Sequence, residues 1–159
     1  MGYGNIAGTH LMANHVSAAL AMVAARTEPN YMIGGFSTRF KDLGVTAKDS
    51  LDSAMRKVVN NTFGGTDTAV AINHAIYNEL PVENFLIITD NETWAGPIHA
   101  SQAIKQYRQK TGINARVAVM AVTATKFSIA DPADPGMMDV VGFDASVPQI
   151  LRDFYMGNN

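Results

Sequence analysis

Apolar residues recur along this chain at two different spacings, and the two kinds of spacing alternate. An apolar residue at every third or fourth position predicts helices within residues 9–27, 50–59, 69–80, 97–110 and 146–154. Short apolar runs predict two buried strands at 84–89 and 116–122, and weaker strands at 31–36, 40–45 and 138–143. Because helices alternate with strands, we expect an α/β fold. It should be a three-layer, doubly wound, mostly parallel sheet in one domain over residues 1–159.

The start of the chain departs from this pattern. Its first ten residues, MGYGNIAGTH, carry Gly2, Gly4 and Gly8 directly before a helical pattern, yet no strand precedes them. The glycine spacing differs from the G-x-G-x-x-G of a dinucleotide-binding turn, which also follows a strand. In such folds a strand normally comes before the first helix and lies in mid-sheet. We therefore expect the central first strand to be missing from this sequence.

Composition narrows the function classes. Lysine and arginine total 12, aspartate and glutamate total 14, and the net charge is −2, which argues against RNA binding by bulk charge. The chain has no cysteine, so a disulfide framework and a thiolate metal site are excluded. It has no apolar stretch long enough for a membrane span and no signal-peptide layout. We expect a cytoplasmic protein.

Candidate chemistry lies where ligands bind in open α/β sheets, after the carboxyl ends of strands. Asp90 comes at the end of the predicted strand 84–89 and could ligate Mg²⁺ or Mn²⁺; the alternative is a turn or helix-capping aspartate. Thr66 follows two glycines and precedes a helix, where its hydroxyl would either cap that helix or ligate a cation. Asp67 is predicted in the first helical turn, and Glu92 in the loop after Asp90.

No motif indicates catalysis. The four histidines are scattered, and neither H-E-x-x-H nor G-x-S-x-G occurs. Lys105, Arg108 and Lys110 share one predicted helix, but glutamines interleave with them. That pattern is more typical of a solvated face than of an RNA groove.

Taken in order, the glycine-rich first loop, GGTDT and the strand ending in TD resemble the von Willebrand factor A domain. That family carries a metal-ion-dependent adhesion site built from three loops: D-x-S-x-S after the first strand, a threonine in the second loop and an aspartate in the third. By this resemblance, Thr66 and Asp90 are the ligands of Mg²⁺ or Mn²⁺ that this chain supplies. The surrounding loop residues would be Asp67, Glu92, Gly2 and Gly4.

Later stretches narrow the resemblance. TDNETWAG, YRQKTGI and ADPADPGMMDVVGFD closely resemble the C-terminal A domain of the Ro ribonucleoprotein (TROVE) family, and the resemblance covers essentially the whole chain. Met1 would correspond to the methionine closing a D-x-S-G-S-M-like segment, so the missing strand, the aspartate and two serines would lie upstream. We therefore expect weak or absent cation binding, and an isolated chain that is poorly stable, oligomeric or dependent on a partner donating the strand.

The resemblance implies a non-enzymatic binding module that docks an acidic group of a protein partner through the cation. Small noncoding RNA would be held by the helical repeats of the complete ribonucleoprotein rather than by this fragment. Two alternatives stay open. One is a Mg²⁺-dependent hydrolase or phosphoryl-transfer enzyme that places the metal with Asp90 and Glu92. The other is a nonfunctional gene fragment.

Overall fold

The computed structural model describes residues 12–59, 67–89, 97–122 and 129–158. Helices and strands alternate along these ranges. The helices are α1 (Ala13–Thr27), α2 (Leu51–Val59), α3 (Val70–Tyr77), α4 (Ala100–Thr111) and α5 (Val147–Met156). The strands are β1 (Gly34–Phe36), β2 (Phe40–Asp42), β3 (Asn84–Thr89), β4 (Arg116–Ala121) and β5 (Met137–Val141).

The main sheet is parallel and has the order β3-β4-β5. Phe85 lies opposite Val117, and Val117 lies opposite Met137. The three parallel strands therefore start at one end of the sheet and finish together at the other end. Every residue of β4 after Arg116 is buried, as expected for a strand covered on both faces. The apolar run at 116–122 therefore forms the strand buried on both faces that it predicts. The run at 84–89 also forms a strand, but β3 is buried on one face only and is half-buried at Leu86 and Ile88.

Helices cover both faces of this sheet. Val117 and Val119 point into a cluster with Ile72 of α3 and Ile104 of α4. The alternate residues of β4 join a second cluster with α1 and α5, whose members include Ala118, Met120, Val16, Leu20, Leu151 and Phe154. Since successive strand residues face opposite sides, these two clusters are the two faces of one sheet. The predicted three-layer α/β fold is confirmed.

The strands β1 and β2 form a separate antiparallel hairpin, with Gly34 opposite Asp42. The ring of Phe40 lies over Gly34, where an added Cβ would come within 2.0 Å of a ring carbon. Phe40 also stacks on His74 of α3, with ring centroids 4.3 Å apart. The predicted strand 31–36 is shorter than expected, since β1 covers only Gly34–Phe36, although the carbonyl of Ile33 still accepts the N–H of Leu43 at 2.9 Å.

Two helix starts differ from their predictions. α4 begins at Ala100 rather than 97, and the Nδ1 of His99 caps it by accepting the N–H of Ser101 at 3.3 Å.

Before α5, the sequence predicts a capping box of Ser146 with Gln149. Ser146 makes no side-chain cap, since its own backbone is already helical and an N-cap residue is normally extended. Its hydroxyl donates instead to Asp144. The spacing also predicts Ile150 on the buried side of α5, together with Leu151 and Phe154, but Ile150 is 44% exposed.

Among the helices that the structure describes, none is long and apolar enough to cross a membrane.

Candidate functional site

Most of the predicted site residues lie outside the described ranges. These are Gly2, Gly4, Thr66, Asp90 and Glu92. The structure does define the residues that flank two of these loops. Asp67 follows Thr66, and Thr89 precedes Asp90. The ligand geometry of the predicted cation site therefore stays a prediction.

Thr89 is fixed firmly in the sheet. Its side chain is 1% exposed, and its carbonyl accepts the N–H of Val122 at 3.0 Å. It lies opposite Ala121, so β3 and β4 end at the same level. Asp90 follows Thr89 in the chain, which places the third predicted loop directly after the carboxyl edge of a buried strand.

Asp67 is a structural residue in this fold. It is 7% exposed and precedes α3, which begins at Val70, so its predicted place in the first helical turn is wrong. Its Oδ1 accepts the N–H of Ala69 at 2.9 Å, in a turn that competes with a helical start. Its own N–H donates to the carbonyl of Ser37 at 3.1 Å. Asp67 thereby ties the residue next to Thr66 to the β1–β2 hairpin.

Two buried side-chain oxygens near the starts of α1 and α3 have no hydrogen-bond partner among the residues that the structure describes. They are Oγ1 of Thr68, which is 1% exposed, and Oδ1 of Asn14, which is 6% exposed. Thr68 lies two residues after Thr66, and Asn14 is the second residue of α1. Buried polar atoms are normally paired, so unpaired oxygens call for a donor or a hard cation. These two oxygens are of the kind that Mg²⁺ or Mn²⁺ prefers. The Nδ1 of His15, beside Asn14, is likewise buried without a partner among the described residues, so the unpaired atoms are not all oxygens.

The described residues do not assemble a complete metal centre by themselves. No group of three or more histidine, aspartate or glutamate side chains within those ranges is arranged to hold an ion. The two predicted ligands, Thr66 and Asp90, lie outside those ranges, and their role stays a prediction.

Comparison with known proteins identifies the family. Residues 1–155 match the family model described as the Ro60 vWA domain. The chain belongs to this family. Over 155 residues it is 46% identical to a Deinococcus radiodurans protein named RNA-binding protein RO60, covering 97% of this chain and 29% of that protein. A Caenorhabditis elegans protein of the same name is 38% identical over 154 residues, covering 96% of the chain and 24% of the relative.

Solved structures agree with this assignment. The crystal structure of the Deinococcus radiodurans RO (RSR) protein superposes with a TM-score of 0.91 at 45% identity, covering 98% of this chain and 32% of that one. Proximal thread matrix protein 1 from the mussel byssus superposes with a TM-score of 0.53 over 90% of this chain and 41% of that one. At 10% identity, the mussel protein shows the shared fold alone. The chain thus spans less than a third of the Ro60 relatives that it matches.

The stretch ADPADPGMMDVVGFD, which carries the resemblance to the Ro family, forms two ion pairs with α4. Asp134 pairs with Arg108 of α4, and Asp131 pairs with Lys105 at 2.7 Å. That hydrogen bond from Lys105 holds the pKa of Asp131 below its usual range. The expected solvated face of α4 is therefore wrong for Arg108, whose side chain is only 18% exposed.

Asp139 of β5 holds the beginning of the same segment in place. Its carboxylate accepts the backbone N–H groups of Ile129 and Ala130 at 3.1 and 3.0 Å. Two carboxylate oxygens thereby fix the chain where it returns towards β5. Sequence reasoning missed the roles of Asp131 and Asp134 because short Asp-Pro repeats indicate only a turn. The packing of α4 decides which basic side chains these two carboxylates contact.

Proposed function

We propose that this chain is the vWA binding module of a longer RNA-binding protein, and that its role is binding rather than catalysis. The observation that carries the proposal is the 46% identity, over 97% of this chain, to a protein named as an RNA-binding protein. Two relatives from distant organisms carry the same name, and neither is named as an enzyme. No observation on the described residues favours the hydrolase alternative.

RNA contact belongs, in this proposal, to the remainder of the complete protein, which we place in the cytoplasm. The module's net charge of −2 gives it no electrostatic attraction for phosphates. In fluorescence anisotropy with a labelled small structured RNA, we expect the 159-residue chain alone to bind no better than a neutral control protein. Tight RNA binding by this chain that weakens steeply with salt would contradict the assignment of RNA contact to the remainder of the protein.

The site that we propose for the module is a divalent cation held by Thr66 and Asp90, through which an acidic group of a protein partner docks. Its support is the oxygen chemistry of these residues, the buried end of β3 at Thr89, and the oxygens of Thr68 before α3 and Asn14 in α1, which have no hydrogen-bond partner among the described residues. Two ligands hold a cation weakly, so binding should depend on further oxygens from an upstream D-x-S-x-S segment.

The test is Mn²⁺ binding, followed by electron paramagnetic resonance of the free ion. We would compare the chain with a version extended at its amino end by an apolar strand that ends in D-x-S-G-S. The extended chain should bind Mn²⁺, and Asp90→Ala should weaken that binding by about tenfold or more. Asp52→Ala, at an exposed position on α2, is the matched control and should bind as before. Unchanged binding in Asp90→Ala would remove Asp90 from the site.

We further infer that the free edge of β3 takes a strand from a preceding segment or from a second chain. The carbonyls of Glu83 and Thr89 bond to β4, and parallel ladders alternate, so the backbone groups of Leu86 and Ile88 point away from β4. Among the described strands, none pairs with that edge. Unpaired backbone groups beside a buried core are a template for strand addition.

A further inference from the structure

A cavity lies at the opposite end of the sheet from the predicted cation loops. It measures about 330 Å³ and opens between the amino ends of β3 and β4 and the helix α5. Its lining is mostly polar and consists of Glu83, Asn84, Ile113, Asn114, Arg116 and Tyr155. Neither the family resemblance nor the cation proposal accounts for this cavity.

Arg116 is the charged group that the fold holds most firmly at this cavity. Its guanidinium carbon lies 5.4 Å from the centre of the Phe154 ring, in a cation–π contact. On another side it packs against Gly157, where an added Cβ would come within 3.0 Å of Nη2. Gly157 has φ +77°, so both its conformation and the space beside it favour glycine. The guanidinium is therefore fixed before any ligand arrives.

Within the described part of the chain, the Arg116 guanidinium nevertheless has no acceptor. Its Nη1 is buried without a hydrogen-bond partner there, and no carboxylate of those residues lies within ion-pair distance of its side chain. Arg108, one turn before the end of α4, is the opposite case. It donates to the carbonyl of Ala115 at 2.8 Å, to Asp134, and to the carbonyl of Gly136 at 3.3 Å. A guanidinium that is held in place and lacks an acceptor is suited to donate two parallel hydrogen bonds to a carboxylate.

We propose that this cavity is a receptor for a single carboxylate, carried by an acidic side chain of a protein segment that docks at this end of the sheet. The planar fork of Arg116 matches a carboxylate, and the amides of Asn84 and Asn114 line the same space. Glu83 at the same cavity and the chain's net charge of −2 disfavour a polyanion such as an RNA backbone. A single carboxylate tolerates that negative environment better, since one charge meets one fixed cation.

The experiment follows the Nε–Hε signals of the arginines by NMR in the 159-residue chain. The probe is N-acetyl-glutamate N-methylamide, and the matched control is its glutamine counterpart at equal ionic strength. We expect a saturable shift of the Arg116 signal with the glutamate probe only. The Arg108 signal, whose N–H is already bonded to Ala115, reports folding and should not move.

Two variants separate the proposal from nonspecific charge effects. Arg116→Lys keeps the charge but loses the fork, and should abolish the saturable response. Glu83→Gln, at an exposed position, should tighten the apparent Kd about two- to threefold by removing a nearby like charge. Because Glu83 holds β4 through its backbone carbonyl, this variant leaves the fold in place even if Arg116→Lys does not fold.

Three outcomes would overturn the proposal. One is a wild-type chain in which Arg116 shows no saturable shift with the glutamate probe. Another is an equal response to the glutamine counterpart, which would mean that charge is not recognised. The third is a stronger response to a short oligoribonucleotide than to the glutamate probe, which would make the occupant a phosphate.

Discussion

The hydroxyl of Tyr107 accepts the backbone N–H of Val82 at 2.6 Å and donates to the carbonyl of Leu80 at 2.7 Å. Tyr107 belongs to α4 and is fully buried, whereas Leu80 and Val82 lie in the turn between α3 and β3. Its ring also meets Phe85 edge-on, with centroids 5.3 Å apart. One side chain thus fixes how the chain enters the strand that leads to Asp90.

Tyr107→Phe should therefore destabilise the protein by about 0.5–1.5 kcal/mol, because the hydrogen bonds of the hydroxyl to Val82 and Leu80 are lost while the packing is kept. The N–H of Val82 still donates to the carbonyl of Leu80 at 3.0 Å, so it is not left without an acceptor. Urea unfolding followed by circular dichroism measures the difference. Tyr77→Phe is the matched control, since Tyr77 is 87% exposed, and it should have almost no effect. Equal stability of both variants would show that water replaces the lost hydroxyl.

The two ion pairs of α4 should differ in importance. Arg108 and Asp134 are 18% and 10% exposed, and Arg108 also holds two carbonyls, so Arg108→Met should cost about 2–4 kcal/mol. Lys105 is 55% exposed, and Lys105→Met should change stability little. The same unfolding measurement compares them. A larger loss in Lys105→Met would contradict the ranking by burial.

Asp49 should make stability sensitive to acid. Hydrogen bonds from Lys57 and Ser53 hold the pKa of its carboxyl well below its usual range. A lowered folded-state pKa gives stability that is fully present above the ordinary aspartate value of about 3.9, and that is lost as the pH falls through the folded pKa. Below about pH 4, Asp49→Asn should therefore lose less stability than the wild type does.

The measurement for Asp49 is the melting temperature across the pH range from neutral to strongly acidic. Asp52→Asn, at an exposed helical pair with Arg56, serves as the control and should follow the wild-type curve. If Asp49→Asn also follows the wild-type curve, the bond to Lys57 does not persist in solution.

The edge of β3 that no described strand pairs with predicts that the isolated 159-residue chain associates or is only marginally stable. We expect its melting temperature to depend on protein concentration, since association would satisfy the outward backbone groups of Leu86 and Ile88. Adding the apolar strand at the amino end should raise the melting temperature and remove the concentration dependence. A sharp, concentration-independent melt of a monomer without the added strand would contradict this prediction.

Local sequence was a good guide where an apolar run predicts a strand and where a glycine ends a helix. The apolar run at 84–89 became β3 with the predicted bounds, and α4 ended at Gly112, which adopts the left-handed conformation that glycine favours. Predictions failed where a polar side chain had several local partners. Ser146 bonds to Asp144 instead of capping α5, and Asp67 forms a turn before α3 rather than lying in its first turn.

The sequence by itself determined the fold class, the order of the elements and the family, because periodicity and distinctive local stretches are carried by neighbouring residues. It also singled out Thr66 and Asp90, whose geometry lies outside the described residues. Only the tertiary structure decided that Arg108 donates to three acceptors while Arg116 has none among the described residues. Both are arginines beside apolar residues, and what separates them is which carbonyls and carboxylates the packing of α4, α5 and the sheet brings within hydrogen-bond reach.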